Sequence, residues 1–404
     1  MNESITTVPA GGVTSPRGFL AGAVAAGLRA HGSGDDLALL YSESACAAAG
    51  LFTDTAFKAA PVLLSQQHLA DGRAQAVIAN SGCANAYSGD DGYRDSEEMA
   101  RLAASQLRLA DSDVLVASTG VTGRKLPMGK IRAALPSLSV SAGGGESFAR
   151  AIMTTDTVVK QTAVAFHIDD REYRVGGCAK GAGMIHPSLA TMLAFVTCDA
   201  AVEVDLLRRT LRQAADLSFD MISVDGDTSP NDTLLLLANG AAGGPTLREG
   251  GEGARIFAEA VETVCVELAK GLARDAEGAT KLIEVEVAGA ASIADARAAA
   301  RTVVGSPLVK SAVYGNDPNW GRVLAAIARS GARADERTVS LFWQGICVFQ
   351  RGHPLPIDEK SLSGATRAAE VRIRVDLGLG EAKAIAWGCD LTEEYVKINS
   401  EYTT

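Results

Sequence analysis

Thr191 has the sequence surroundings of an N-terminal nucleophile. Ala190 precedes it, an apolar segment from Met192 to Val196 follows it, and glycines and Pro187 mark a turn upstream. A threonine hydroxyl needs an adjacent base to attack a carbonyl group, and the α-amino group of the same residue can be that base once the residue is N-terminal. An ordinary α-amino pKa of about 7.7–8.0 leaves part of this group neutral near pH 7. Such a role for Thr191 would require cleavage of the Ala190–Thr191 bond.

Thr119 and Gly120 form a second candidate, at the end of a predicted strand from Asp113 to Ser118. A hydroxyl group and an unhindered backbone N–H at a strand end can together stabilise a developing oxyanion. Both candidates also fit structural roles, because glycines before a buried segment are commonplace and a Thr-Gly pair occurs in ordinary turns. The residues alone leave both interpretations open.

Several binding motifs fail on spacing. The run from Gly123 to Gly129 is one residue too long for a phosphate-binding loop, and Ile131 stands where that loop needs Ser or Thr. Counted from Asp225, a calcium loop would need glycine at Pro230 and glutamate at Leu236. The five histidines and seven cysteines show no spacing typical of a zinc site. We therefore expect no metal.

The composition argues against several classes of partner. The 404 residues carry a net charge of −10, whereas a nucleic-acid-binding protein needs a basic surface. The odd number of widely spaced cysteines indicates reduced thiols in a cytoplasmic protein. The apolar run from Gly18 to Leu28 has the outline of a signal peptide, but it begins late and is rich in glycine. No stretch is long and apolar enough to predict a membrane span.

Alternating and helical hydrophobic patterns predict the elements that must carry these residues. A polar loop, 223–233, is predicted to cap a buried helix at 234–239. The segment 307–314 is predicted to be a strand, and Trp320 beyond it to pack as an apolar wedge. Further strands are predicted at 36–41, 74–79, 162–168, 172–175, 281–287, 339–349, 371–375 and 382–386, and helices at 94–109, 205–217, 254–272 and 323–329.

Motifs from Gly11 to Thr404 resemble, in order, those of the ornithine acetyltransferase / glutamate N-acetyltransferase family. Two positions depart from the family pattern: Cys83 stands where asparagine is usual, in the loop 80–85, and Pro230 where threonine is usual. The matching motifs are the opening GGVTSPRGF at 11–19, the Thr119-Gly120 pair, the run 180–194, SVDGDTSPNDT at 223–233, NDPNWGR at 316–322 and the last residues, 395–404.

The resemblance implies an α/β fold, a layered sandwich of β-sheets between helices, in a self-processing enzyme. The first fragment would comprise residues 1–190 and the second residues 191–404, interleaved in one body. The family also suggests self-association as two copies of each fragment.

The implied reaction moves the acetyl group of N2-acetyl-L-ornithine to L-glutamate through an acetyl-threonine intermediate, in arginine biosynthesis. No metal or bound cofactor is needed, and acetyl-CoA is a possible further substrate. Thr119 and Gly120 would hold the oxyanion, and Glu277 would meet the substrate amine. The substrate-binding positions implied by the family are Thr154, Lys180, Thr191, Glu277, Asn399 and Thr404.

Three alternatives stay open. A self-cleaving aminopeptidase or amide hydrolase would release the acyl group to water rather than to glutamate. An unprocessed binding protein would stay as one chain and form no acyl-enzyme. A paralogue in a secondary-metabolite pathway would keep the acetylornithine chemistry, and the departures at Cys83 and Pro230 are compatible with it.

Overall fold

The computed structural model describes residues 5–29, 34–186 and 192–401, in which strands and helices alternate along the chain. The predicted residues Ala190, Thr191 and Thr404 lie outside these ranges. The strands are β1 (Ile5–Thr7), β2 (Phe19–Val24), β3 (Leu37–Phe52), β4 (Arg73–Asn80), β5 (Val114–Ser118), β6 (Lys160–Ile168), β7 (Arg171–Lys180), β8 (Leu193–Cys198), β9 (Ile222–Ser223), β10 (Thr233–Ala238), β11 (Leu282–Ala290), β12 (Ser340–Trp343), β13 (Ile346–Gln350), β14 (His353–Pro354), β15 (Glu370–Asp376) and β16 (Ala382–Cys389). The α-helices are α1 (Ala60–His68), α2 (Gly89–Leu107), α3 (Met128–Ala134), α4 (Gly145–Ala151), α5 (Val204–Leu217), α6 (Glu252–Arg274), α7 (Ile293–Val304), α8 (Pro307–Tyr314), α9 (Trp320–Ala328), α10 (Glu359–Ala365) and α11 (Glu393–Glu401).

The larger sheet has nine strands in the described chain, in the order β1-β6-β7-β8-β10-β3-β4-β5, with β2 paired to β3. Its two central strands are β8 and β10, which run parallel and are buried along their whole length. β8 pairs with β7, and β10 pairs with β3. Strands from both sides of position 190 therefore form one sheet.

The residues predicted as a buried helix at 234–239 form β10 instead, so that prediction was wrong. The segment is a run of leucines without a polar face, and a short apolar run fits a buried strand as well as a buried helix. Its hydrogen bonds to β8 and β3 decide between the two.

Helices cover both faces of the larger sheet, as alternate residues of β4 demonstrate. Val77 packs in one cluster with Phe148 of α4, and Ile78 packs in another with Met99 of α2. Successive side chains of a strand point to opposite faces, so each face has its own apolar partner. This arrangement confirms the predicted α/β layers.

The smaller sheet has seven strands within the described residues, in the order β14-β13-β12-β15-β11-β16-β9. α6 contacts β6 and β7 of the larger sheet and β16 and β9 of the smaller one, so it lies between the two. α7 packs on β11 and β16. The apolar sides of these elements form one continuous core.

The segment 307–314, predicted as a strand, is helix α8. Pro307 occupies the first turn, where its fixed φ suits a helix and its missing N–H costs no hydrogen bond. Val309, Ala312 and Val313 are buried at helical spacing, i, i+3 and i+4. Trp320, as predicted, packs against the core, with its ring 5.6 Å from that of Phe349.

The apolar run near the N-terminus is part of the sheet, since residues Phe19–Val24 form β2. All seven cysteines lie in the described part of the chain; six are buried and none forms a disulfide. None of the helices described here is long and apolar enough to cross a membrane.

Candidate functional site

One pocket collects side chains and backbone from several distant parts of the chain. Its walls are the end of β5, the end of β7, the turn after α4, the loop before β10 and the turn before β11. Of the predicted site residues that the structure describes, the pocket is lined by Thr119, Gly120, Thr154, Lys180, Glu277 and Asn399.

Gly120 follows β5 in a backbone conformation that requires glycine. Its φ is +123°, and a Cβ atom there would lie 2.5 Å from the carbonyl carbon of Gly82. The neighbouring Thr119 N–H donates to the Asn80 carbonyl oxygen at 3.0 Å. The Thr119-Gly120 backbone is thus held against the neighbouring 80–85 loop.

The 80–85 loop contributes little to the pocket lining and supports the pocket mainly through hydrogen bonds inside the protein. Ala84 lines the pocket, but the amides of Asn80 and Asn85 are buried and bond inside the protein. Asn80 Nδ2 donates to the Cys83 carbonyl oxygen at 2.9 Å, and Ser118 Oγ donates to Asn80 Oδ1 at 2.7 Å. The asparagine amides of this loop therefore brace the pocket from within the protein.

Cys83, one of the two departures from the family pattern, is buried in this brace. Its Sγ lies 3.5 Å from the Arg124 carbonyl oxygen, and burial raises the pKa of the thiol. A thiol with a raised pKa is a poor nucleophile. Pro230, the other departure, lines the pocket, and its carbonyl oxygen accepts from the Ala59 N–H.

Asn231 also braces the pocket, and sequence analysis missed it. Its Nδ2 donates to the carbonyl oxygens of Ala84 at 2.7 Å and of Ser118 at 2.9 Å. This amide ties the loop before β10 to the residue that precedes Thr119. Asn231 belongs to the polar run 223–233, but the local sequence could not indicate which distant segment its amide would bond.

Lys180 ends β7 and points its amine into the pocket. It is 2% exposed, and its Nζ donates to Thr119 Oγ1 at 3.2 Å. Burial lowers the pKa of Lys180, and the negative charge of Asp156 opposes this effect. Because the amine donates to the oxygen of Thr119, the hydroxyl proton of Thr119 is left to donate elsewhere in the pocket.

A buried ionic network, formed by Asp156, Lys160 and Asp275, supports this wall. Lys160 Nζ lies 2.6 Å from Asp156 Oδ1 and 2.5 Å from Asp275 Oδ2, and the three side chains are at most 7% exposed. Asp156 also accepts the backbone N–H groups of Thr154 at 3.0 Å and Gly181 at 2.7 Å. One cation therefore joins the turn that carries Thr154 to the turn that leads to residue 277.

The charge state of this network follows from its contacts. Burial alone would raise the pKa of Asp156, but the positive charges of Lys180 and Lys160 and the Gly181 hydrogen bond lower it to about 2. Asp156 is therefore ionised at neutral pH. The family resemblance indicated Thr154, two residues away, but sequence analysis did not identify this carboxylate.

Glu277 also lines the pocket, together with the C-terminal helix. Asn399 of α11 donates from Nδ2 to Glu277 Oε2 at 2.8 Å. Gly183 lies so close to the Glu277 carboxylate that any Cβ there would overlap it. Lys180 and Glu277 thus place a positive and a negative group around one cavity, which suits a ligand that carries both charges.

Among the residues described, no three His, Cys, Asp or Glu side chains are grouped to hold a metal ion. The described chemistry of the pocket consists of hydroxyl groups, backbone N–H groups, one amine, one carboxylate and two amides. Such a set can polarise a carbonyl group and orient a small zwitterionic molecule.

Comparison with known proteins gives one consistent result. The sequence model of the ArgJ family matches residues 20–404. The arginine biosynthesis bifunctional protein ArgJ of Dehalococcoides mccartyi is 50% identical over 405 residues, which are 100% of each chain. The protein of the same name from Symbiobacterium thermophilum is 52% identical over 98% of this chain and 99% of its own. The crystal structure of arginine biosynthesis bifunctional protein argJ from Bacillus halodurans is 42% identical, with a TM-score of 0.50, over 52% of this chain and 98% of that one. The chain belongs to the ArgJ family.

Proposed function

We propose that this chain is an arginine-biosynthesis acetyltransferase that cuts itself between Ala190 and Thr191 and then transfers acetyl groups through Thr191. The observation that carries the proposal is the convergence of Thr119, Gly120 and Lys180 in one pocket, because Lys180, the last residue of β7, pairs directly with Leu193, the first residue of β8. Thr191 precedes Leu193 by two residues in the chain, and we propose that its hydroxyl reaches the pocket beside these oxyanion donors.

In the proposed first half-reaction, the Thr191 hydroxyl oxygen attacks the acetyl carbonyl carbon of N2-acetyl-L-ornithine. The Thr191 α-amine takes the hydroxyl proton and passes it to the departing N2 nitrogen, so that ornithine leaves as the amine. The Thr119 hydroxyl and the Gly120 N–H donate to the oxyanion. In the second half-reaction, the amine of glutamate attacks the acetyl-threonine ester, its proton returns through the α-amine, and the Thr191 hydroxyl is restored.

The charges of the pocket support a substrate of this class. N2-acetyl-L-ornithine carries a carboxylate and a side-chain ammonium group, and glutamate carries a carboxylate beside its amine. We propose that Lys180 attracts the carboxylate or acetyl end, and that Glu277, with Asn399, receives the ammonium group. Thr154 and Thr404 complete the proposed substrate contacts.

One further observation supports the cut. The solved Bacillus halodurans chain matches 52% of this chain although it is itself 98% covered, and residues 191–404 are just over half of the sequence. A chain of that length is expected from a precursor that divides at this position. The relatives are called bifunctional, and we propose acetyl-CoA as a second acetyl donor for this chain.

Thr191→Ala tests the proposal directly. Because one hydroxyl would start both cleavage and transfer, the variant should remain a single chain and lose activity, whereas wild type should give a fragment that begins Thr-Met-Leu-Ala. Intact mass, N-terminal sequencing and formation of N-acetylglutamate from N2-acetylornithine plus glutamate are the measurements.

Thr191→Ser is the matched control, since it keeps a hydroxyl and should still cut, more slowly. Normal fragments from Thr191→Ala would contradict the nucleophile. Release of free acetate with no N-acetylglutamate would favour an amide hydrolase instead. An intact and inactive wild-type chain would favour a binding protein.

A further inference from the structure

The loop of residues 224–233 is bonded to the chain upstream of the proposed cut. The N–H groups of Met184 and Ile185 donate to the two carboxylate oxygens of Asp225, at 2.6 and 2.9 Å. The Val224 N–H in turn donates to the Ile185 carbonyl oxygen at 2.7 Å. Asp225 also accepts from the Tyr395 hydroxyl at 3.2 Å, which anchors it to α11.

The other end of the same loop is bonded to the chain downstream of the proposed cut. The Met192 N–H donates to Asp232 Oδ1 at 3.0 Å, and the Thr233 N–H donates to the Met192 carbonyl oxygen at 3.0 Å. Asp232 is fully buried. The segment between Ile185 and Met192 therefore has both of its ends fixed by one loop.

The hydrogen bonding of Asp232 is not what is expected of a residue that only stabilises the fold. Its second oxygen, Oδ2, is buried and accepts no hydrogen bond from the residues that the structure describes. Burial raises the pKa of Asp232 well above its ordinary value, against the opposing Met192 and Ser229 hydrogen bonds and the charge of Lys180. A buried polar atom without a partner usually costs stability, so such an atom calls for a functional explanation.

The contact of Asp232 with the neighbour of residue 191 gives this buried carboxyl a functional explanation. Thr191 is joined to the Met192 nitrogen through its own carbonyl carbon, over a peptide bond of about 1.33 Å. The residue that Asp232 holds is thus the direct neighbour of the proposed nucleophile, and a misplacement of about 1 Å can slow attack on a carbonyl about 100-fold.

We infer that Asp225 and Asp232 are positioning residues, which hold the two flanks of the segment 186–191 for self-cleavage, and that Asp232 continues to hold the nucleophile during acetyl transfer. The inference rests on the cleavage proposed above. After the cut, Asp225 contacts the first fragment and Asp232 the second, so the two residues separate in function although they lie on one loop.

The test compares Asp225→Ala, Asp232→Ala and the matched control Asp227→Ala. Asp227 lies exposed on the same loop, and it contacts Asp225 through its backbone N–H, at 3.2 Å, which the alanine variant keeps. Each protein is made by cell-free translation, and fragment formation is followed over time by gel electrophoresis. Loss of a hydrogen bond to a carboxylate should slow cleavage about tenfold or more in the first two variants, while Asp227→Ala should cut at the wild-type rate.

The cut proteins are then assayed for N-acetylglutamate formation. Asp232→Ala should lower kcat about tenfold, whereas Asp225→Ala should keep kcat within about threefold of wild type. Asp232→Ala also leaves the buried Met192 N–H without its acceptor and should lower the thermal midpoint, so kcat is measured at a temperature well below that midpoint, where each variant is fully folded. Asp225→Leu and Asp232→Leu, which keep a similar side-chain shape and remove both acceptors, give the same comparison if an alanine variant precipitates.

Wild-type cleavage rates in folded variants of both aspartates would overturn the inference while leaving the proposed function intact. Equal losses of kcat in the two alanine variants would also overturn it, because the inference assigns a role in acetyl transfer to Asp232 and not to Asp225. A wild-type chain that never cuts would instead remove the proposed function on which the inference rests.

Discussion

At the scale of single residues, the pocket depends on how one hydroxyl is oriented. Thr119 accepts a hydrogen bond from buried Lys180 and stands beside Gly120, whose N–H is unhindered by a side chain. The amine therefore directs the Thr119 proton away from itself. The backbone at this point cannot relax, because Gly120 is packed against Gly82. These contacts prepare two donors for an oxyanion before any substrate binds, which is the condition under which such donors contribute most.

Thr119→Ala should remove one of these donors. We expect kcat to fall about 100-fold, equivalent to about 3 kcal/mol, with the thermal midpoint nearly unchanged. Thr119→Ser keeps the hydroxyl and should stay within a few-fold of wild type. An unchanged kcat in the alanine variant would exclude Thr119 from oxyanion binding.

At the scale of elements, the buried Asp156–Lys160–Asp275 network joins the turn after α4 to the turn after α6. The two turns carry Thr154 and lead to Glu277, so the network links two segments that line the pocket. A buried ion pair adds little net stability over apolar packing, but removing one partner leaves a buried charge without compensation.

Asp156→Asn should therefore lower the free energy of unfolding by about 3 kcal/mol at pH 7 and raise KM for N2-acetylornithine as the Thr154 backbone loses its acceptor. The folded-state pKa of Asp156, about 2, lies below the ordinary value of 3.8. As the pH falls, the Asp156 carboxylate is therefore protonated at a higher pH in the unfolded chain than in the folded one. The stabilisation is present above about pH 4 and disappears as the pH falls towards 2.

Denaturant unfolding of wild type and variant between pH 2 and pH 7 measures this effect, and the difference between the two curves should shrink below pH 4. Asp91→Asn is the control, because Asp91 forms an exposed pair with Arg94 and should change stability little. A constant difference across the pH range would contradict the assigned ionisation of Asp156.

At the scale of the whole molecule, two pairs of neighbouring strands in the larger sheet join residues 1–190 to residues 191–404. β8 pairs with β7 along six residues, and β10 pairs with β3 along six more. Both strands of the second fragment are central and fully buried. Separation of the fragments would expose these strands and the core around α6, a large apolar area.

The two fragments should therefore elute together in gel filtration after cleavage and unfold in one transition. They should separate only in denaturant. Uncut Thr191→Ala protein is the control and should elute at the same volume. Elution of the fragments as two species under native conditions would contradict interleaving of residues 1–190 with residues 191–404.

Much of this protein was determined by its sequence alone. The ordered motifs identified the family resemblance, the layered α/β class and the pocket residues, because turn glycines, strand ends and polar runs are local features that a sequence displays. Tertiary structure decided the rest. The segments 234–239 and 307–314 are short and apolar, and only their neighbours make the first a central strand and the second a helix. The partners of Asp156 and Asn231 lie far away in the chain, and no local pattern specifies which distant backbone a buried carboxylate or amide will bond. The two flanks of the proposed cut meet one loop for the same reason: hydrogen bonds between remote segments form only when the packed core brings them together.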